Sequence, residues 1–275
     1  RKESSAASDV YKRQGYDLDL SKIADLISEN IDYELFIDYM SSFHRGLFLT
    51  PTVVAKLMAG IAKTKNPKRI ADICSGLGNI SRFLVFADVD GYEINRGAFE
   101  VAKKLLPTVK FHNQCIINTP INESYDMVIG HLPFNARFQK DGKTEQLENL
   151  AILKGLEILN ADGSLVLLVP ISFLYSSSFK HTRDMIIKDH SLEQVIELPK
   201  NIYKHTSMQS AILLINKNSI LKSTIFYYFE LNPSNLESQL IKRGEINKKH
   251  LKEDWNVKFQ RSNKDVKNFF SDYKI

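Results

Sequence analysis

The stretch of sequence that decides the fold reads Ile70-Ala71-Asp72-Ile73-Cys74-Ser75-Gly76-Leu77-Gly78-Asn79. Its apolar first half predicts a short buried strand, which begins near Lys68 and runs straight into a Gly-x-Gly turn. Because glycine has no Cβ atom, a ligand can approach the backbone of such a turn closely. In doubly wound α/β folds this turn lies at the carboxyl end of the sheet, where ligands bind. The segment therefore predicts the first strand and the ligand-binding turn of such a sheet.

Predicted strands and helices alternate on both sides of this turn. Thr50 is expected to cap a helix that has Pro51 at its first position. The segments 192–198 and 210–215 have no helix-length insert between them, which predicts a final antiparallel pair. The alternation favours an α/β fold with N-terminal helices and a doubly wound, mostly parallel sheet. The predicted helices cover residues 21–43, 51–63, 95–106, 144–159 and 179–189, and the predicted strands cover residues 68–73, 86–92, 109–112, 125–130, 165–169, 192–198, 210–215 and 224–231.

The composition is typical of a soluble globular protein, with 43% hydrophobic and 25% charged residues. No apolar run approaches the length of a membrane span and no secretory signal is visible, so no membrane partner is expected. Two cysteines cannot make a disulfide framework, which favours the reducing cytoplasm. Residues 241–275 hold ten Lys or Arg against five Asp or Glu. Such a basic tail suits either a phosphate backbone or a solvated surface, so charge alone leaves the partner open.

An acidic residue closes the second predicted strand: Glu93, 15 residues after Gly78. A carboxylate there can accept hydrogen bonds from both hydroxyls of a ribose, so the turn and the acid together indicate a nucleoside-containing cofactor. A dinucleotide would require a third glycine where Ser81 stands, and its pyrophosphate would lie beside the negative charge of Asp72. An acidic group suits the sulfonium and amino groups of S-adenosylmethionine, which is the predicted cofactor. No metal site is predicted.

From Gly46 to Lys217 the chain resembles the gamma-type adenine-specific DNA methyltransferases, which include the modification (methylase) subunits of type I restriction-modification systems. The family's motifs occur in the expected order: G-x-[FY]-[FYL]-T-P at residues 46–51, D-x-x-x-G-x-G at 72–78, a ribose-binding acid at Glu93, and a Leu-Pro segment leading to an aromatic residue at 198–203. The resemblance implies a Rossmann-like, seven-stranded methyltransferase fold. It also implies that S-adenosylmethionine is held by Phe48, Thr50, Asp72, Gly76, Gly78 and Glu93.

The family binds its target adenine with an N-P-P-[FY] motif, and residues 131–134 here read His131-Leu132-Pro133-Phe134. An adenine amino group is a poor nucleophile because its lone pair is delocalised into the ring. Two acceptors, a side-chain atom and a backbone carbonyl, can draw its hydrogens out of the plane and localise that lone pair. The base must also be flipped out of the duplex and stacked. The resemblance therefore assigns catalysis to residues 131–134 and base stacking to Phe134 and Tyr203.

Three residues depart from the family's pattern. His131 replaces the acceptor amide, and a neutral imidazole has one acceptor nitrogen. Leu132 replaces the first proline, but its carbonyl can still accept a hydrogen bond, and Pro133 favours extended geometry at residue 132. Cys115 stands where the family has an aspartate that bonds the cofactor's adenine, and a thiol is a weak partner. These departures predict weakened methyl transfer and weaker cofactor binding.

Four regions follow from these assignments. Residues 1–14 look like a non-native leader without apolar periodicity, and residues 15–66 form an N-terminal helical segment with the Thr-Pro motif. Residues 67–217 are the predicted methyltransferase domain, and residues 218–275 are a basic C-terminal extension. That extension is short for a target-recognition domain, which indicates that the chain is a fragment or depends on a separate specificity or target-recognition subunit.

Three functions stay open at this point. The leading one is methylation of the exocyclic amino group of adenine in DNA, as part of a restriction-modification or related system. The second is a catalytically inactive subunit that keeps the fold and binds DNA or a partner. The third is methylation of RNA or of a glutamine in a protein, since N-P-P-[FY] motifs also serve those substrates. The Thr-Pro motif and the long region after the last strand favour the DNA enzymes.

Overall fold

The computed structural model describes residues 20–27, 31–43, 49–140, 142–200, 202–203, 208–218, 221–229 and 241–248. The helices of this part of the chain are α1 (Leu20–Leu26), α2 (Tyr33–Phe43), α3 (Thr52–Thr64), α4 (Arg96–Leu105), α5 (Leu147–Ile158) and α6 (Lys180–Asp189). The strands are β1 (Arg69–Ile73), β2 (Asp88–Tyr92), β3 (Lys110–His112), β4 (Tyr125–His131), β5 (Arg137–Lys140), β6 (Lys143–Gln146), β7 (Leu159–Pro170), β8 (Ser191–Glu197), β9 (Ser210–Asn216), β10 (Ser223–Tyr228) and β11 (Ile241–Asn247). Among these described residues, no helix has the length and apolar character needed to cross a membrane.

Nine of the described strands form one sheet in the order β11-β10-β8-β9-β7-β4-β1-β2-β3. Five neighbouring strands, β3, β2, β1, β4 and β7, are parallel, while β9 runs antiparallel between β7 and β8. This arrangement confirms the doubly wound, mostly parallel sheet and its antiparallel pair. The expected count of seven strands is wrong, because β10 and β11 extend the sheet at one edge. The sequence pattern does not predict β11, because its residues are mostly polar or basic and an edge strand needs little apolar surface. Among its described side chains, that of Ile246 is buried.

Helices cover both faces of the sheet, and alternate strand residues point to opposite layers. Along β1, the side chain of Ile70 packs against α3 on one face of the sheet, whereas that of Ala71 packs on the other face, in the cluster that contains α5 and α6. A third, smaller cluster joins α1 and α2 to α4 and to Leu77 of the glycine turn. The N-terminal helices therefore contact the predicted ligand turn directly.

Two predicted helices differ from the structure. The described part of residues 21–43 forms two helices, α1 and α2, because the side chain of Asp32 accepts a hydrogen bond from the backbone N–H of Leu35 at 3.0 Å and so starts α2 as a new helix. Residues 144–146 are not helical: they belong to β6, which pairs antiparallel with β5. Gly142, at φ +75°, supplies the left-handed backbone of the connecting turn. Helix α5 therefore begins only at Leu147.

The expected cap of α3 is also wrong. The helix begins at Thr52, with Pro51 at the N-cap position, and no side chain caps it. The hydroxyl of Thr50 lies instead 3.0 Å from the Nδ1 atom of His131, at the end of β4. A contact between residues so far apart in the chain replaces the local one that the sequence pattern indicates.

We expect Gly130→Ala to destabilise the fold, because a Cβ atom at Gly130 would lie 2.5 Å from the backbone oxygen of Ile73. The loss in free energy of unfolding should be about 3 kcal/mol, since β1 or β4 must shift. Gly142→Ala is the matched control: its Cβ meets nothing within 4 Å and strains only the backbone, at a cost of about 1 kcal/mol. Urea unfolding followed by circular dichroism measures both variants, and equal losses would contradict the close approach of the two strands.

Candidate active site

The carboxyl ends of three central strands meet at one rim of the sheet. Ile73 at the end of β1 lies opposite Tyr92 in β2 and Gly130 in β4. Because these strands are parallel and in register, the residues that follow them leave the sheet on the same side. The glycine turn, Glu93 and the loop of residues 131–134 are thus brought together, as the sequence predicts.

The glycine turn has the left-handed backbone that glycine tolerates, with φ of +57° at Gly76 and +84° at Gly78. A Cβ atom added at Gly76 would meet nothing within 4 Å, so the space beside the turn is open. Glu93 is fixed next to it: its Oε2 accepts from the Gly76 N–H at 2.9 Å, and its Oε1 accepts from the Asn95 N–H at 2.7 Å. The buried carboxylate and the open turn therefore form one unit at the rim.

Asp72 is fully buried behind this turn. Its Oδ2 accepts from the Ser81 hydroxyl at 2.6 Å, whereas its Oδ1 has no partner within the described residues. The Ser75 Oγ and the Asn79 Oδ1 are likewise buried and unpartnered in that part of the chain. Burial raises the pKa of Asp72 to about 7, against the opposing effect of the Ser81 hydrogen bond. Unsatisfied buried oxygens are uncommon in folded proteins, and three around one turn suit a ligand that carries donors or positive charge.

The N-terminal helices hold the outer side of the glycine turn. The hydroxyl of Tyr33 in α2 donates to the carbonyl oxygen of Leu77 at 2.6 Å. The Leu77 side chain is buried among α1, α2 and α4, and the Arg82 guanidinium lies 4.5 Å from the centre of the Tyr33 ring. The sequence predicts a buried face on these helices but contains no signal for what that face contacts.

Thr50 joins the glycine turn to the loop after β4. The side-chain amide of Asn79 donates to the Thr50 carbonyl, and the Thr50 hydroxyl contacts His131 Nδ1 at 3.0 Å. His131 is only 7% exposed, and burial lowers its pKa to about 3, so the ring is neutral near pH 7. Its Nε2 atom is buried without a partner among the described residues. Asn79 therefore lies at this rim, although the motif D-x-x-x-G-x-G ends one residue before it.

Three aromatic rings close together beside this contact. The ring centre of Phe134 lies 5.0 Å from that of His131 and 6.1 Å from that of Tyr203, with an edge-on arrangement for the second pair. Tyr203 also lies 6.0 Å from His131, and its hydroxyl is 3.2 Å from the Ser210 hydroxyl. All three rings are almost completely buried. The structure thus brings both predicted stacking residues to the predicted catalytic histidine.

The remaining residues of the loop are held by the core and by helix α5. Leu132 is fully buried in the core, and the Pro133 carbonyl accepts from the Ala136 N–H at 3.4 Å. The Asn135 N–H donates to the Oε1 of Glu148 at 3.0 Å, with Asn135 itself at φ +56°. Glu148 in α5 is fully buried, and burial raises its pKa. The only sequence signal for this residue was a charge on the apolar face of a helix.

Two further residues are assigned to the cofactor, Phe48 and Cys115, and the structure describes only the second. Phe48 lies outside the described residues, as does Gly46. Cys115 follows β3, is partly buried, and packs against the same core layer as Cys74. Burial raises the pKa of the Cys74 thiol well above its usual value. Within the described residues, no group of three or more His, Cys, Asp or Glu side chains could hold a metal ion.

The strand order and the rim define the class of protein: the chain has the fold of S-adenosylmethionine-dependent methyltransferases. A Listeria monocytogenes protein assigned to class I of these enzymes superposes with a TM-score of 0.64 at 14% identity, covering 92% of this chain and 90% of that one. The methyltransferase subunit of the type I restriction-modification system of Streptococcus thermophilus gives a TM-score of 0.63 at 20% identity, with 88% of this chain and 56% of that one covered.

The chain belongs to the N-6 DNA Methylase family, which it matches over residues 103–273. The methylase subunit of the type I restriction enzyme MpnII from Mycoplasma pneumoniae is 22% identical, with 66% of this chain aligned. That alignment covers 42% of the relative, so the chain spans less than half of the relative's length.

We expect His131 and Asp72 to affect the pH dependence of unfolding in opposite directions. His131 has a folded pKa of about 3, below its usual 6.5, so the unfolded chain binds the extra proton and stability rises between pH 3 and 6.5. Asp72 has a folded pKa of about 7, above its usual 3.8, so the folded chain binds the extra proton and stability falls between pH 4 and 7. Each proton changes the free energy of unfolding by about 1.4 kcal/mol per pH unit.

Urea unfolding at several pH values tests both slopes. Asp72→Asn should gain stability relative to the parent chain as pH rises from 5 to 8, and His131→Gln should lose relative stability as pH rises from 4 to 6. Asp162→Asn is the control, because this carboxyl is exposed on the surface. A pH profile that is the same for the parent chain and both variants would contradict the burial of these two groups.

Proposed function

We propose that this chain is the catalytic domain of an adenine-specific DNA methyltransferase of the restriction-modification kind. It would transfer a methyl group from S-adenosylmethionine to the exocyclic amino group of adenine. The observation that supports this most is the link through Thr50, which holds the glycine turn and His131 at one rim of the sheet. A methyl donor bound at the turn and a base bound at the loop would then be neighbours.

The residues around the turn fit S-adenosylmethionine. Asp72 and the unpartnered oxygens beside it suit the amino and sulfonium groups, Gly76 keeps the backbone accessible, and Glu93 accepts the ribose hydroxyls. Gly78 serves the turn differently, because a Cβ atom there would lie 2.7 Å from the Cδ1 atom of Leu106. Cys115 would lie on the side of the cofactor's adenine, where its thiol would be a weak partner. Phe48 and Thr50 complete the assigned set. When bound, the cofactor supplies an electrophilic methyl group.

The loop after β4 supplies the acceptors for the target amino group. His131 is neutral, so a ring nitrogen can accept one amino hydrogen, and the Leu132 carbonyl accepts the other. Pro133 keeps residue 132 extended, which maintains the direction of that carbonyl. Phe134 and Tyr203 would stack on a flipped base. Because the two rings contact each other edge-on at 6.1 Å, the base enters only when they separate.

A second candidate is a catalytically inactive subunit that binds DNA or a partner. The observation that favours it is the mutual burial of His131, Phe134 and Tyr203, which leaves the base position filled by protein side chains. In either case we propose that a specificity or target-recognition subunit takes part and that the complex works in the cytoplasm. The support for a partner is that the related proteins are named as subunits of type I restriction systems.

We expect His131→Asn to increase methyl transfer, because the smaller amide provides a carbonyl oxygen that accepts from the amino group without depending on a tautomer. The gain should be about 10-fold or more in rate, in line with the value of a hydrogen bond to developing charge. His131→Asn combined with Leu132→Pro should be at least as active if the core tolerates the loss of the Leu132 side chain. The assay follows labelled methyl transfer from S-adenosylmethionine to adenine-containing duplexes, with N6-methyladenine identified after digestion.

His181→Asn is the control, since it makes the same change at an exposed histidine. The same assay with RNA and with glutamine peptides tests the other substrate classes. If all variants bind cofactor yet none methylates adenine, the second candidate replaces the first.

We expect Cys115→Asp to strengthen cofactor binding, because a carboxylate accepts hydrogen bonds from the adenine amino group and a thiol does so only weakly. The gain should be about 10-fold in Kd, the value of one added hydrogen bond of about 1.4 kcal/mol. Titration calorimetry with S-adenosylmethionine measures it, and Cys115→Ser is the control. Unchanged affinity in Cys115→Asp would contradict the placement of Cys115 beside the cofactor's adenine.

A further inference from the structure

The position of the Thr50 hydroxyl has no explanation in the local chain. A threonine just before a helix ordinarily caps it, yet no side chain caps α3. The hydroxyl is turned toward β4 and contacts the Nδ1 of His131 at 3.0 Å, across 81 residues of sequence. The backbone of Thr50 is held at the same time by Asn79 and by the following Pro51. The position of the hydroxyl is therefore fixed by its own contact with His131 and by the hydrogen bond from Asn79 to the Thr50 backbone.

A neutral imidazole carries one proton, and the partner of one nitrogen decides the state of the other. If Nδ1 carries the proton, it donates to the Thr50 oxygen and Nε2 keeps its lone pair. If Nε2 carries the proton, the Thr50 hydroxyl donates to Nδ1 and the ring directs an N–H into the site. Nε2 has no partner in the described part of the chain, so within that part the Thr50 contact is the one hydrogen bond that bears on this choice.

We propose that Thr50 is a positioning residue that holds His131 as the Nδ1-protonated tautomer, so that Nε2 presents a lone pair to the target amino group. This proposal rests on the proposed function, because an amino group brings two hydrogens that need acceptors. An Nε2–H would oppose an amino N–H, donor against donor. Thr50 thereby lets a histidine take the role of the acceptor amide, which the family's N-P-P-[FY] motif supplies from its first residue.

The tautomer can be measured without any catalysis. Nitrogen-15 NMR of the full chain with labelled histidine distinguishes a protonated ring nitrogen from an unprotonated one by chemical shift. The signals of His131 are identified among the seven histidines by their loss in His131→Gln. We expect an unprotonated Nε2 in the parent chain and in Thr50→Ser, which keeps the hydroxyl. Thr50→Val keeps the side-chain shape without the acceptor, and there we expect the proton to move to Nε2.

The kinetic test follows methyl transfer at saturating S-adenosylmethionine. Thr50→Val should lower kcat by about 10- to 100-fold, as expected for a misdirected hydrogen bond at a reacting group, and Thr50→Ser should restore most of the rate. Thr52→Val is the matched control: it removes the same group two residues away, where the hydroxyl accepts from Arg82 at 3.1 Å and does not contact His131.

Each outcome decides the proposal. A protonated Nε2 in the parent chain, or an unchanged tautomer in Thr50→Val, would overturn it, as would an equal loss of kcat in Thr50→Val and Thr52→Val. If the parent chain shows the expected tautomer and its loss in Thr50→Val but methylates no adenine, the proposed function fails while the role of Thr50 in setting the ring stands.

Discussion

The register between β1 and β4 is the constraint on which the site depends. Ile73 and Gly130 lie opposite each other, and the Ile73 backbone oxygen is so near Gly130 that a Cβ atom there would lie 2.5 Å from it. This close approach brings the glycine turn and the His131 loop out of the sheet side by side. A shift of one residue would turn every side chain of β4 to the opposite layer and move His131 away from Thr50.

The site also holds an unusual share of unsatisfied buried polar atoms. Asp72, Ser75, Asn79 and His131 each keep one such atom around the same rim, among the residues that the structure describes. A folded chain normally pairs these groups, since burial without a partner costs free energy. Departures from that rule are expected where a protein binds ligands, and here they are concentrated on both sides of Thr50. These atoms would be available to the proposed cofactor and base, and leaving them unpartnered costs the folded chain some stability.

The two halves of the site differ in how open they are. At Gly76 the space beside the backbone is free, whereas Phe134 and Tyr203 pack on each other and on His131. In the proposed function, the half assigned to the cofactor is thus formed in the folded chain, and the half assigned to the base must open. A flipped base would exchange its contacts in the duplex for contacts with these rings, so ring separation and base flipping would occur together.

The sequence by itself determined the alternation of strands and helices, the glycine turn, and the order of Asp72, Glu93 and residues 131–134, since each is a pattern within a few residues of chain. Tertiary structure alone decided that Thr50 contacts His131 instead of capping α3, that Tyr33 holds Leu77, and that Glu148 anchors Asn135. The hairpin β5–β6 and the edge strand β11 likewise depend on pairing between segments. These contacts join residues whose separation is set by strand register and helix packing, and such long-range geometry leaves no periodic signal in the local sequence.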